Sequence, residues 1–235
     1  KMTHADGQPK ITTISSTSIL KLVEELSQYH GDKFTEANIV PRLHMIRTPW
    51  INEGFFSKCV VLVEGGSDRA TILGAAKALK INLEGEGISV IPCFGKGNLD
   101  HIAIIFKQLK IPTYVIWDND RGNDSAISKN KLLLKLFDEE ESDFPSHVKS
   151  DHACIEGNLE TMLKDEMGGD MYEDMLKINM TEYDLDKSDA IKNPTVLKTM
   201  LEDLENSGGE IPETLKQILR NQFLSTLILP SPALY

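Results

Sequence analysis

Cys59-Val60-Val61-Leu62-Val63-Glu64-Gly65 and, further on, Tyr114-Val115-Ile116-Trp117-Asp118-Asn119-Asp120 decide how this chain folds. Each is a short apolar run that closes on a carboxylate. Continuous runs of this kind, as opposed to alternating ones, are expected of parallel strands covered on both faces. A third run, Ile88-Ser89-Val90-Ile91, lies between them. The intervening segments are helical in pattern: Ala70 to Leu79, and Leu99 to Leu109, where Leu99, Ile102, Ala103, Phe106 and Leu109 share a face. The order is β-α-β-α-β, with His152-Ala153-Cys154-Ile155 as a candidate fourth strand.

In an open parallel sheet, right-handed crossovers bring the carboxyl ends of the strands to one edge, where ligands bind. After the first run comes Glu64-Gly65-Gly66-Ser67-Asp68, after the third Asp118-Asn119-Asp120, and after the fourth Glu156-Gly157-Asn158-Leu159-Glu160. Asp118 and Asp120, two apart, point the same way in an extended chain. Two carboxylates ~4 Å apart repel by ~4 kcal/mol at an effective dielectric of ~20, so a converging set calls for positive charge. A hard divalent cation with oxygen ligands, Mg²⁺ or Mn²⁺, suits it, since no His or Cys stands at these positions. Taken singly, each acid reads as readily as a helix cap or a solvated group. The combination across three strand ends is what points to metal.

Composition sets the frame around that edge. The chain has 235 residues, 40% of them hydrophobic and 26% charged, which is enough apolar material for a sizeable core without disulfide staples. Its three cysteines, Cys59, Cys93 and Cys154, form no CxxC pair and read as small core residues. No apolar run approaches the ~20 residues of a spanning helix, and Lys1 to Lys10 lacks a signal-peptide core, so a soluble, cytoplasmic protein with no membrane partner is expected. Against 36 acidic residues stand 25 Lys and Arg, a formal charge of −11. Such a chain repels nucleic acid at long range unless a basic strip or bound divalent cations intervene.

Outside the central pattern, Lys1 to Ser16 reads as a loose lead-in to a helix carrying Ile19, Leu22, Val23 and Leu26, and Phe34 to Phe56 as short helices. Arg121 to Ser150 holds one amphipathic helix around Leu132 to Phe137 and an acidic run that reads as solvated surface. Two terminal helices, carrying Val196, Leu197, Met200, Leu201 and Leu204, then Leu215, Ile218 and Leu219, flank Ser207-Gly208-Gly209. His101 and His152 read as helix-surface and strand-edge residues, Trp117 as core. Gly95-Lys96-Gly97 reads either as a phosphate-contacting turn that offers amides to a substrate or as a plain tight turn.

The pairing of Val60-Val61-Leu62-Val63-Glu64-Gly65 with Trp117-Asp118-Asn119-Asp120 resembles the Toprim domain, the topoisomerase-primase metal fold. Within that superfamily the chain is similar to the C-terminal nuclease region of the OLD (overcoming lysogenization defect) family. The likeness is carried by Phe55-Phe56, Leu62 to Arg69, Phe94-Gly95-Lys96-Gly97-Asn98-Leu99 and Ile111 to Asp120, within a span of about 55–223. It implies an α/β fold: a Rossmann-like parallel sheet flanked by helices, with helical additions at the N-terminus, in an insertion and at the C-terminus. The layout expected is a helical lead-in or linker over 1–54, a catalytic core over 55–160 with an insertion at about 121–147, and a helical C-terminal part over 161–235 that completes the active site.

The resemblance also implies a chemistry: DNA phosphodiester hydrolysis by an endonuclease or nickase with two Mg²⁺ or Mn²⁺ ions, in a phage-defence setting. The family pattern maps its metal ligands onto Glu64, Asp68, Asp118, Asp120, Asn158 and Glu160, and in a two-metal mechanism Asp118 is the residue expected to bridge the pair. Asn158 stands where the family commonly has Ser. Glu64, Asp118 and Asp120 would be catalytic together with Lys192, a point charge against the pentacovalent phosphate. Family members usually carry an N-terminal ABC-type ATPase, but no GxxxxGK[ST] occurs here, so no ATP site is expected and a C-terminal fragment is favoured over a stand-alone module. Two alternatives stay open: a Toprim RNA-processing nuclease, and a non-catalytic acidic α/β assembly module. A phosphoacceptor receiver would carry its acidic pair after the first strand, not the third.

Overall fold

A computed structural model defines residues 2–5, 8–11, 16–39, 41, 48–204 and 206–228. Strands β1 (Met2–Ala5) and β2 (Gln8–Ile11) form an antiparallel hairpin where a loose lead-in is expected from sequence. Helix α1 (Ser16–His30) follows, closed by a 3₁₀ turn at Gly31–Lys33, and α2 (Pro49–Gly54) leads into β3 (Cys59–Val63). Thr48 starts α2 by accepting the Ile51 amide on its hydroxyl, with Pro49 in the first turn where its missing N–H is harmless. The chain then alternates through α3 (Gly66–Ala78), β4 (Ile88–Pro92), α4 (Leu99–Gln108), β5 (Thr113–Asp118) and α5 (Ile127–Leu136). Next come β6 (His147–Val148), β7 (His152–Ile155), α6 (Leu159–Met167), α7 (Gly169–Tyr183), α8 (Lys187–Ala190), α9 (Pro194–Glu202) and α10 (Glu213–Ile228).

The five-stranded sheet has the order β4-β3-β5-β7-β6. Pairing is parallel from β4 through β7, and β6 adds an antiparallel edge. Because β4 lies on one side of β3 and β5 on the other, the winding reverses between β3 and β5, and such a switch point opens a crevice at the strands' carboxyl ends. Both faces are covered, which is why the strands read as unbroken apolar runs. Val61 and Val63 pack with Ile72 and Ala75 of α3, Val196 and Leu197 of α9, and Leu215 of α10. Val60, Leu62, Val115 and Trp117 pack on the other face with Leu22 and Leu26 of α1, Phe106 of α4 and Leu134 of α5. Cys59, Cys93 and Cys154 are buried free thiols, as expected.

Gly74 sets how closely the C-terminal helices approach. A Cβ there would lie 2.9 Å from the Lys198 carbonyl oxygen, so only glycine lets α3 and α9 touch backbone to side. That contact holds the 191–194 segment over the start of α3. Helices α6 to α8 extend the C-terminal part beyond the two helices read from sequence. Among the described residues, no helix is long and apolar enough to cross a membrane.

Candidate active site

Two strand ends supply the carboxylates of the crevice, a pair from each. Glu64 follows β3, and its carboxylate turns sideways so that Oε1 accepts the Asp118 amide N–H of the neighbouring strand at 3.1 Å. Asp118 is the last residue of β5 and accepts the amide of Leu159, which opens α6. Asp68 sits in the first turn of α3 and reaches back to the Gly65 N–H at 2.6 Å, an N-terminal cap that also turns its carboxylate toward Asp118. Asp120 has φ of 52°, a left-handed conformation uncommon for a side-chain-bearing residue, and its amide donates to the Gly157 carbonyl at 2.9 Å.

The electrostatics of this group are those of carboxylates crowded out of water. Burial first, then the charges of Asp68 and Glu64, push Asp118 up to about 8. Burial raises Glu64 to about 7 against the opposing pull of the Lys96 ammonium and the Asp118 amide. Asp68 is raised as well, chiefly by burial. At neutral pH Glu64 and Asp118 therefore retain protons that ordinary carboxylates would have released. Oxygen donors that prefer a proton to bare ionisation are suited to a hard divalent cation, so the donor chemistry fits Mg²⁺ or Mn²⁺.

Lys96 is the residue that sequence reasoning placed differently. The Gly95-Lys96-Gly97 turn is pinned by the Gly95 amide, which donates to the Glu64 carbonyl at 2.8 Å, and Gly95 takes φ of 115°. The turn aims the Lys96 side chain inward, 8% exposed, where its ammonium ion-pairs with Asp120 and lies 3.9 Å from Glu64 Oε1. Asn130 Oδ1 accepts from the same ammonium at 3.4 Å. Asn130 in turn donates to the Asn119 carbonyl, and fully buried Asn119 fastens the DxD turn to its neighbours, donating to the Pro145 carbonyl and accepting the amides of Arg121 and Gly157. The one sequence signal for this support was a polar residue, Asn130, on the same helical stripe as Leu133 and Leu134.

The remaining site candidates lie around this centre without joining its charge cluster. Asn158 caps α6, its Oδ1 accepting the Thr161 amide at 2.9 Å and the Thr161 hydroxyl at 3.0 Å. Glu160, in the first turn of the same helix, adds its charge to the surroundings of Tyr172 and Lys164. Lys192 is brought to the start of α3 by its backbone: the Ser67 hydroxyl donates to its carbonyl at 2.8 Å, while its side chain is exposed. A cavity of about 950 Å³ opens beside Asp120 along Arg121, His147, Asn158 and Gln217.

Residues 55–120 match the family model described as the overcoming lysogenization defect protein-like TOPRIM domain. An OLD nuclease of Thermus scotoductus is 38% identical over 69 residues, which are 29% of this chain and 13% of that protein. The chain thus spans only a small part of the curated relative it matches. Among solved structures, the C-terminal region of the Xanthomonas campestris pv. campestris OLD protein superposes with a TM-score of 0.51 at 20% identity, covering 74% of this chain and 98% of that one. The C-terminal region of the Burkholderia pseudomallei OLD protein does so with a TM-score of 0.51 at 17% identity, covering 73% and 99%. At those identities the likeness establishes the fold.

Proposed function

We propose that this chain, whose residues 55–120 form an OLD-like TOPRIM domain, is a metal-dependent nuclease region that hydrolyses DNA phosphodiester bonds, and that it works joined to an N-terminal ATPase in a longer OLD-type protein. The observation that carries the reading is the pairing of Glu64 with Asp118 across the switch point, both held near neutral pKa by burial and by facing carboxylates. A set of acids kept in so unfavourable a state has a use when a divalent ion replaces the protons.

Glu64, Asp68, Asp118 and Asp120 would hold the Mg²⁺ or Mn²⁺ ions, with Asn158, which lines the same cavity as Asp120, and Glu160 as further ligands. When bound, two such ions supply Lewis-acid activation of water and charge neutralisation at the leaving oxygen. The chain's own groups set the geometry. The Asp118 amide fixes Glu64, the Gly65 amide fixes Asp68, and Asn119 and Asn130 hold the DxD turn, so little reorganisation is left for the reacting complex. Lys96 balances the acids from within and steadies Asp120. Lys192, whose backbone lies at the start of α3 and whose side chain is exposed, would meet a phosphate approaching from solvent. The cavity beyond Asp120 gives a strand room to lie against the rim.

Incubating supercoiled plasmid with Mg²⁺ or Mn²⁺ tests this reading. Metal-dependent nicking or linearisation by the wild type, lost in Asp118→Ala and in Glu64→Ala, is the expected result. Absence of metal-dependent cutting, or cutting that survives both substitutions, overturns it. Preference for structured RNA over plasmid in the same assay would move the substrate to RNA.

A further inference from the structure

A second cluster of ligating side chains lies at the joint between α1 and α4, apart from the rim. His30 Nε2 at the end of α1 hydrogen-bonds to Asp100 Oδ2 in the first turn of α4, and His101 Nε2 stands 3.6 Å from the same oxygen. One donor atom from each of the three residues falls within 4.8 Å of the others; among the described residues this is the group of His, Cys, Asp and Glu that meets that spacing. None of the three figures among the charges that shift Glu64 or Asp118.

We propose that His30, Asp100 and His101 form a binding site for a first-row transition ion of the zinc type, which clasps the N-terminal helix to the sheet domain. Three features support it beyond spacing. The Asp100 side chain is 3% exposed, and while its Oδ2 meets both imidazoles, its Oδ1 is buried with no hydrogen-bond partner among the described residues, so this carboxylate lacks the donors a buried acid normally finds. Two imidazole nitrogens and one carboxylate oxygen are a donor set that borderline ions such as Zn²⁺ favour and Mg²⁺ does not, in contrast to the all-oxygen rim. Phe34 packs its ring edge-on against both imidazoles, at 5.1 Å from His30 and 5.0 Å from His101, and walls the site on one side. The rest of the coordination would come from water.

The full chain, stripped with chelator and titrated with Zn²⁺ in the presence of excess Mg²⁺, tests the assignment. A single equivalent of Zn²⁺ is expected to bind the wild type and equally the rim variant Glu64→Gln/Asp118→Asn. Affinity is expected to fall about tenfold or more in His30→Gln, His101→Gln and Asp100→Asn. Co²⁺ in place of Zn²⁺ should give visible ligand-field bands with the wild type that disappear in His101→Gln. That side chain is partly exposed, and an unchanged far-UV circular dichroism spectrum and Tm of metal-free His101→Gln are the control that makes loss of the bands report the site, not misfolding. No Zn²⁺ uptake, uptake unchanged in all three variants, or uptake lost in the rim variant instead would overturn the proposal.

Discussion

The connection between β4 and α4 serves two unlike neighbourhoods. At its start Lys96 turns into the rim, where it pairs with Asp120 and lies near Glu64, whose neighbour Asp118 is, like it, pushed up toward neutrality by burial. Just past the connection, in the first turn of α4, Asp100 lies against α1 and meets two imidazoles. Both places bury a carboxylate, yet they balance it by different means: the rim uses an ammonium, backbone amides and uptake of protons, the joint uses histidine. The difference teaches that burial alone does not specify a ligand. Hard oxygen donors held near neutrality at a switch point suit Mg²⁺ or Mn²⁺, while nitrogen donors beside a lone buried carboxylate suit a softer ion.

The contrast breaks first on activity. Asp118→Asn is expected to cut metal-dependent plasmid cleavage at least about a hundredfold, by loss of the charge that holds the ion. His30→Gln, at the other neighbourhood, is expected to leave the cleavage rate within about twofold under saturating Mg²⁺. Comparable losses in both would mean that the joint serves the chemistry too.

Packing comes next. Gly74→Leu forces α9 away from α3 and is expected to lower stability by roughly 1–3 kcal/mol, measured by urea unfolding, because a Cβ there meets backbone. It should also weaken cleavage by displacing Lys192 from the start of α3, whereas the Zn²⁺ titration at the joint should be untouched.

The pH dependence of the metal-free protein separates the two places further. In the folded state Glu64 titrates at about 7 and Asp118 at about 8, both above ordinary carboxylate values. The folded chain therefore binds more protons than the unfolded chain between about pH 4 and 8, so unfolding free energy falls as pH rises through that window. These two groups contribute fully below the unfolded pKa near 4, and the contribution is gone above the folded values. Thermal unfolding without divalent ions should show Tm declining from pH 5 to 8, with Mn²⁺ restoring it at pH 8. A Tm that rises over the same range in the metal-free protein contradicts the burial assigned to these acids.

The smallest effect concerns Asn158. As a cap of α6 its replacement by Ala is expected to cost ~1 kcal/mol and to leave Mn²⁺ affinity nearly unchanged. A drop of tenfold or more in Mn²⁺ affinity would instead make it a ligand, as the family resemblance implies.

The sheet was legible because strands covered on both faces cannot alternate: Val60 and Leu62 face one core, Val61 and Val63 the other, and all read apolar. Glu64, Asp118 and Asp120 were legible for the same reason, each standing where such a run stops. The β1–β2 hairpin and two-residue β6 are too short to show a period, and in α7 Tyr172, Met175 and Leu176 mark a buried face amid acids that hide it. For Lys96 the sequence leaves two readings, a phosphate-contacting turn and a plain tight one, because a Gly-Lys-Gly turn looks alike whether its lysine faces a ligand or the protein's own carboxylates. His101 and His152 were read as surface and edge residues, but His101 lies against Asp100 and His30, and His152 is wholly buried between Asp151 and His147. A histidine's partners come from distant segments, which no local pattern reveals.

Calorimetric titration of Mn²⁺ into the chain and into Glu64→Gln/Asp118→Asn at pH 7 addresses the rim most directly. Uptake by the wild type with release of protons into the buffer, and none by the double variant, is the expected result. Equal uptake by both proteins, or uptake without proton release, would contradict it.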